Sequence, residues 1–334
     1  MKKTIFACLL WTAAVLAALA PITAFAVPDD NLYVSANQGG SIFEYTPARI
    51  QSTFVSYPTK LPRGLAFDSN GNLFAAVTNS SLSGGSVNKF TPSSVQHTFG
   101  NAPGFLEGVA VDNTGNVFLM SVSQSSPTGA STIFKFTGGG TRSVFGSLPG
   151  QGFGLAFNSA GNLFAGDAVD QTIFQYTPGG ARTTFAGPAA FGNESPSGQL
   201  AFDSVGNLFV STLTSDFTMG SILEFTPGGT ESTFATGLRS PRGLAFDSTG
   251  NLFVTENVPG HLGDILEFTP GGIETVFANG LSNPQFLTFG PPRGPAGPNL
   301  PDSGSTLAIL SIALVALEST RRRLAATTRP LLRA

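Results

Sequence analysis

The chain has a single cysteine, Cys8, and it lies in the N-terminal leader, so the rest of the protein holds neither disulfides nor thiol chemistry. Histidine is nearly as scarce, with only His97 and His261. Charged side chains make up 11% of the 334 residues, too few for a chain dominated by solvated helices. Between Val27 and Pro301 there are 10 Lys+Arg against 18 Asp+Glu, a net charge of −8 that disfavours nucleic acid and anionic membrane surfaces as partners. No nucleophile elbow, phosphate-cradling loop or cysteine–histidine pairing appears. Glycine (41) and phenylalanine (30) are abundant instead, a composition suited to short strands joined by tight turns.

A phrase of the form Phe-Asp-Ser-x-Gly-Asn-Leu-Phe recurs at Phe67, Val111, Phe157, Phe202 and Phe246, and a truncated copy opens at Asp30. The Asn heading its second half falls at Asn31, Asn72, Asn116, Asn162, Asn207 and Asn251, with spacings of 41, 44, 46, 45 and 44 residues. A period in the low forties built of short alternating segments marks four-stranded propeller blades. Strand a is the Gly-Leu-Ala-Phe-Asp type at Gly64 and Gly243, and strand b the Asn-Leu-Phe-Val type at Asn207 and Asn251. Strands c and d begin near Ser221 and Ser232, or Asp264 and Thr275. The periodic Asp68, Asp112, Asp203 and Asp247, with Asn158 as substitute, read as caps of the a–b turn. Thr-Pro-Gly-Gly at Thr177, Thr226 and Thr269 makes the c–d turn. The region starts with strands b, c and d and ends with a lone strand a at Gln285. It therefore predicts an all-β, six-bladed β-propeller over residues 27–290, closed by one strand from its end and three from its start.

Lys2, Lys3, the apolar run Ile5–Ala20 and Ala24-Phe25-Ala26 read as a helical signal peptide over residues 1–26, a substrate for signal peptidase. After a Gly/Pro linker at 291–299, Leu300-Pro301-Asp302-Ser303-Gly304 precedes an apolar run to Leu317 and the cluster Arg321-Arg322-Arg323. This segment, residues 300–334, resembles the VPDSG variety of the PEP-CTERM sorting signal, with Leu300 in place of the usual Val. The resemblance implies an exosortase-type sorting enzyme as partner and a cell-surface or matrix destination. A helix over 305–320 is expected to make transient inner-membrane contact. Its Ser305–Leu317 core, about 20 Å long, is short against a hydrocarbon layer of roughly 30 Å.

The repeats resemble NHL-type propellers, and the segment from Asn251 to Phe277 resembles blades of the streptogramin lyase and SMP-30/gluconolactonase propellers. That likeness bears on fold more than on activity. In the lactonase-like proteins a metal sits in the central channel on Glu, Asn and Asp. Only Glu107-Gly108 matches the start of that pattern, so no metal ligands are carried over and the metal is left unknown.

The b–c and d–a connections vary in length and share one face, the mouth of the channel, where a binding surface is expected. Aligning the a strands places Arg63, Glu107, Phe153, Gly198, Arg242 and Gln285 at that mouth. Two arginines beside one glutamate can hold an anionic or sugar-like ligand, or can form an Arg63–Glu107 ion pair between blades. Asp167, Asp170, Glu194, Asp216, Glu256 and Asp264 on the same face are expected to form a solvated acidic rim, with Asp167 also a candidate ligand contact. The expectation is an exported, surface-sorted, non-catalytic module for an extracellular glycan, peptide or protein, requiring no cofactor. The alternative is a lactonase- or lyase-like enzyme dependent on Ca²⁺ or Mg²⁺, with Glu107, Glu256 and His261 as catalytic candidates.

Overall fold

The computed structural model describes residues 30–126, 128–257, 260–293 and 299–300. The signal segment, and the sorting segment beyond Leu300 with its arginines, lie outside the described residues. Six antiparallel sheets, each with the four strands of a blade, account for almost all of the rest. Blade 1 takes strand a from Pro284–Gly290 and strands b–d from Asn31–Ala36, Ser41–Tyr45 and Gln51–Ser56. The a strands of blades 2 to 6 are Leu61–Phe67, Phe105–Val111, Gly152–Phe157, Leu200–Phe202 and Pro241–Phe246. Their outer d strands are Gln96–Pro103, Arg142–Leu148, Arg182–Ala186, Glu231–Leu238 and Glu274–Leu281. In blade 1, Asn31 pairs with Gly290 and Val34 with Leu287. Among the described residues the one helical element is a single 3-10 turn, Pro188–Ala190, and no helix is long and apolar enough to cross a membrane.

The repeated phenylalanines explain why blades stack. The aromatic two residues after the repeat Asn on strand b lies edge-on between the d-strand aromatic of its own blade and the a-strand aromatic of the next. Phe118 meets Phe145 at 4.9 Å and Phe157 at 5.0 Å. Phe164, Phe209 and Phe253 repeat the arrangement with Phe185 and Phe202, Phe234 and Phe246, and Phe277 and Phe289. Tyr33 does so with Phe54 and Phe67. Each such T-shaped pair adds about 0.5–1.5 kcal/mol beyond its buried area. Phe74 keeps only its Phe99 partner, because blade 3 carries Val111 where the other blades have an aromatic.

The a–b turns are capped by the repeat Asp. Asp68 Oδ1 accepts from the Asn70 and Asn72 amides, and Oδ2 accepts from the Asn72 side chain. Asn158 takes the same two amides through Oδ1. Against the upward push of partial burial, the Asn116 and Thr114 hydrogen bonds hold the Asp112 carboxyl below the usual carboxylate range.

The first residues of the Gly/Pro segment pack back onto the turn face. Tyr33 donates to the Pro291 carbonyl, the Arg293 amide donates to Glu44, and the Arg293 guanidinium reaches the Phe90 and Thr91 carbonyls. Asn299–Leu300 then lies parallel to the outer strand of blade 2 as a fifth strand.

Candidate functional site

The a strands come together around the channel because most of them carry a glycine just after the mouth residue. A Cβ at Gly64 would stand 2.4 Å from the Glu107 carbonyl of the next blade, and one at Gly154 would stand 2.6 Å from that of Gly198. This close approach brings side chains from neighbouring blades into one cluster. Arg63 Nε and Glu107 Oε2 are 2.6 Å apart, a buried ion pair between blades 2 and 3 without hydrogen-bond alignment. Asn37, its amide turned to satisfy both neighbours, accepts from Arg63 Nη1 at 3.0 Å and donates to the Pro62 carbonyl. The Arg63 guanidinium also lies 5.0 Å from the centre of the Phe105 ring.

Arg242 is the second cation of this cluster. Its Nη1 donates to the Ser197 carbonyl at 3.2 Å, while its Nε is buried with no hydrogen-bond partner among the described residues. The guanidinium stands 6.0 Å from the rings of both Phe153 and Phe217. Burial, then the like charge of Arg63, push Arg242 down to about 10, and Glu107 opposes the shift. Burial likewise pushes Glu107 above the usual carboxylate range, opposed by Arg63 and Arg242. Two guanidiniums thus face one carboxylate, leaving an excess of positive charge at the mouth, buried at Arg63 and half-buried at Arg242. Phe217, on the b–c loop of blade 5, is 47% exposed, so one aromatic wall beside Arg242 is open to solvent.

The remaining predicted residues divide sharply. Gln285 is buried and donates to Asn283, and Gly198 offers only backbone. Asp167 is buried: Oδ2 accepts from the Gly150 amide and Oδ1 from the Val169 and Asp170 amides, so both oxygens hold loops. The solvated acidic rim is corrected for three of its members. Asp167 and Glu256 are buried, and Glu256 accepts from the Arg239 amide and guanidinium. Glu194 is held by the Thr212 and Ser221 hydroxyls. Asp167 and Glu256 pin the loops to the strand ends because the d–a return brings the Gly150 and Arg239 N–H groups over them. His261 is exposed on its loop and makes no hydrogen bond to Glu256. Among the described residues no group of three or more His, Cys, Asp or Glu side chains is placed to hold a metal ion. Glu107 faces two cations, so the donor set does not fit a divalent cation.

One channel residue escaped the sequence reading. Gln199 stands where blades 2, 3, 4 and 6 have glycine. It reaches across to blades 6 and 1, donating to the Leu287 carbonyl and accepting from the Leu244 and Leu287 amides. The departure from glycine in an otherwise repeated strand was the available signal. Cavities also lie elsewhere on the ring. One of about 410 Å³ between blades 5 and 6 is lined by the turn residues Asp203 and Asp247 with Glu224, Phe209 and Phe246.

No protein-family model and no curated protein matches this chain. Several solved structures are similar in fold. A protein of unknown function from Bacteroides caccae matches with a TM-score of 0.56 at 12% identity, over 79% of this chain and 99% of that one. Catalytically inactive virginiamycin B lyase from Staphylococcus aureus with quinupristin matches with a TM-score of 0.51 at 12% identity, over 76% and 86%. A gluconolactonase from Xanthomonas campestris matches with a TM-score of 0.51 at 12% identity, over 69% and 85%. At such identities the likeness is one of fold, a six-bladed propeller with lyase and lactonase neighbours.

Proposed function

We propose that this chain is an exported, surface-sorted propeller that binds an extracellular glycan, peptide or protein through carboxylate groups at its channel mouth. The observation that carries the reading is the excess of guanidinium: Arg63 and Arg242 share Glu107, and Arg242 Nε is left without a partner. A planar guanidinium offers paired donors matched to a carboxylate, and a desolvated one gains more from that partner than an exposed one does. Phe153 and Phe217 flank Arg242 and supply apolar walls for the body of the ligand. Export and sorting rest on the leader and on the PEP-CTERM-like tail.

A binding role is favoured over turnover because the carboxylates an enzyme would use are engaged. Glu107 faces Arg63, Glu256 faces Arg239, and His261 bonds to neither. Calorimetric titration with glucuronate, galacturonate and acidic peptides tests the reading. Saturable binding by the wild type, lost in Arg63→Met, is the expected result. Absence of binding to every carboxylate probe, or lactone or lyase turnover abolished by Glu107→Ala, overturns it. Deleting residues 300–334 should abolish surface location, and unchanged location would refute the sorting role.

A further inference from the structure

The outer strands of the propeller are sorted by charge around the ring. On strands c and d of blades 2, 3 and 4 the charged residues are Lys89, Lys135, Arg142 and Arg182, with no carboxylate. On the same strands of blades 5, 6 and 1 they are Glu224, Glu231, Asp264, Glu267 and Glu274, with Glu44 buried; Glu267 pairs with Arg49 of the blade 1 turn and Asp264 with Arg239, which leaves an acidic excess led by Glu231 and Glu274. The basic arc is centred on blade 3 and the acidic arc on blade 6. In a ring of six these two blades stand opposite each other, half a turn apart.

The same two blades carry most of the exposed apolar groups of the outer strands, with Ile50 at the head of the blade 1 outer strand a further one. Val144 on the blade 3 edge is 67% exposed, and Ile273 and Val276 at the blade 6 edge are 67% and 49% exposed. At the positions corresponding to Val144, blades 4 and 5 present Thr184 and Thr233. Each outer strand is also a sheet edge, a template for another chain, with some of its carbonyls already taken by side chains: Arg49 donates to Val276, and Arg182 to Ser147. Blade 2 has this edge occupied by Asn299–Leu300, whereas blades 3 and 6 have no fifth strand among the described residues. Arg142 donates to the Asn101 carbonyl and lies over the Phe134 ring, which holds its charge at the blade 3 rim.

We propose that copies of this chain associate head to tail, the blade 3 edge of one (Arg142, Val144) docking on the blade 6 edge of the next (Ile273, Glu274, Val276). The two surfaces are different patches half a turn apart, so the contact is heterologous and does not close. Successive copies form an open string rather than a symmetric dimer. Opposite charge selects the pairing and its direction, and the valine and isoleucine side chains supply the apolar contact. The channel mouths stay clear of the contact, because it runs through the rim of the disc.

Charge reversal tests this in a way that a folding defect cannot imitate. Sedimentation velocity on the purified full chain should show a size distribution that grows with concentration and shrinks with added salt. Arg142→Glu alone and Glu274→Arg alone should each weaken association by about tenfold or more, since like charges then meet at every contact. Mixing the two variants should restore string growth, because each reversed edge then finds its complement on the other variant. A wild type that stays monomeric at all concentrations, a distribution that stops at two copies, or a mixture that fails to recover would overturn the proposal.

Discussion

Replacing Arg242 by methionine should make the fold more stable while removing its ligand response, and the size of the gain follows from the site. Arg242 is lowered to about 10 from its ordinary value, chiefly by burial. A shift of that size corresponds to about 3 kcal/mol against the charged form in the folded state. Arginine does not give up its proton near neutrality, so the fold carries this cost as lost stability. Because the folded value lies below the unfolded one, the cost is fully present at neutral pH and is relieved only as pH rises above about 10. Methionine has similar bulk and no charge. It forfeits two distant ring contacts worth roughly 0.5 kcal/mol each and one hydrogen bond to Ser197 worth about 1 kcal/mol. The balance is a gain of about 1 kcal/mol, or a rise in Tm of about 2–4 °C for a domain of this size. Differential scanning calorimetry should show that gain where Glu107 is ionised and a larger one where Glu107 is protonated and no longer offsets the Arg242 cost. Arg242→Lys retains the charge and should show no gain. If Arg242→Met melts lower than the wild type, or still responds to carboxylate ligands, the account of the mouth as a site held open at the expense of stability is wrong.

Two further outcomes follow from the same geometry. Burial raises Glu107, so its stabilising contribution is full below the unfolded value and is lost as pH rises through the folded one; protonating it removes the carboxylate that competes with the ligand. Carboxylate affinity should therefore rise as pH falls through the Glu107 titration, and Glu107→Gln should bind more tightly with a flattened profile in a pH series of calorimetric titrations. In the a–b turns, Asp203→Asn should be nearly neutral, because Asn158 performs the same role in blade 4, whereas Asp203→Ala should cost about 1–2 kcal/mol in urea denaturation through its orphaned amides.

The repeat was legible because its physics is local: an Asp that caps a turn, a Gly with positive φ and a Phe two residues beyond the Asn recur whatever lies across the ring. The Arg63–Glu107 pair was legible too, since adjacent blades place equivalent a-strand positions side by side. The state of the acidic residues was not. Asp167 and Glu256 sit at the end of strand b, and nothing local shows that the Gly150 and Arg239 amides return over them. Gln199 was hidden because its partners are the backbones of two other blades, 45 and 88 residues further on. Charge sorting along the rim becomes visible only when strands from distant repeats are read as neighbours on a circle.

The strand Pro284–Gly290 has a bearing on how the protein comes to be folded. The Ser35 hydroxyl bonds to both backbone groups of Phe286, residues separated by 251 positions in the chain. Bringing such distant ends together costs about 5 kcal/mol of chain entropy. Until those last residues arrive, Asn31–Ala36 offers a bare edge to any passing strand, so a prematurely terminated polypeptide is left sticky. Completion of the wheel is therefore a checkpoint on full-length synthesis: the far end of the message must be read before the first blade is whole.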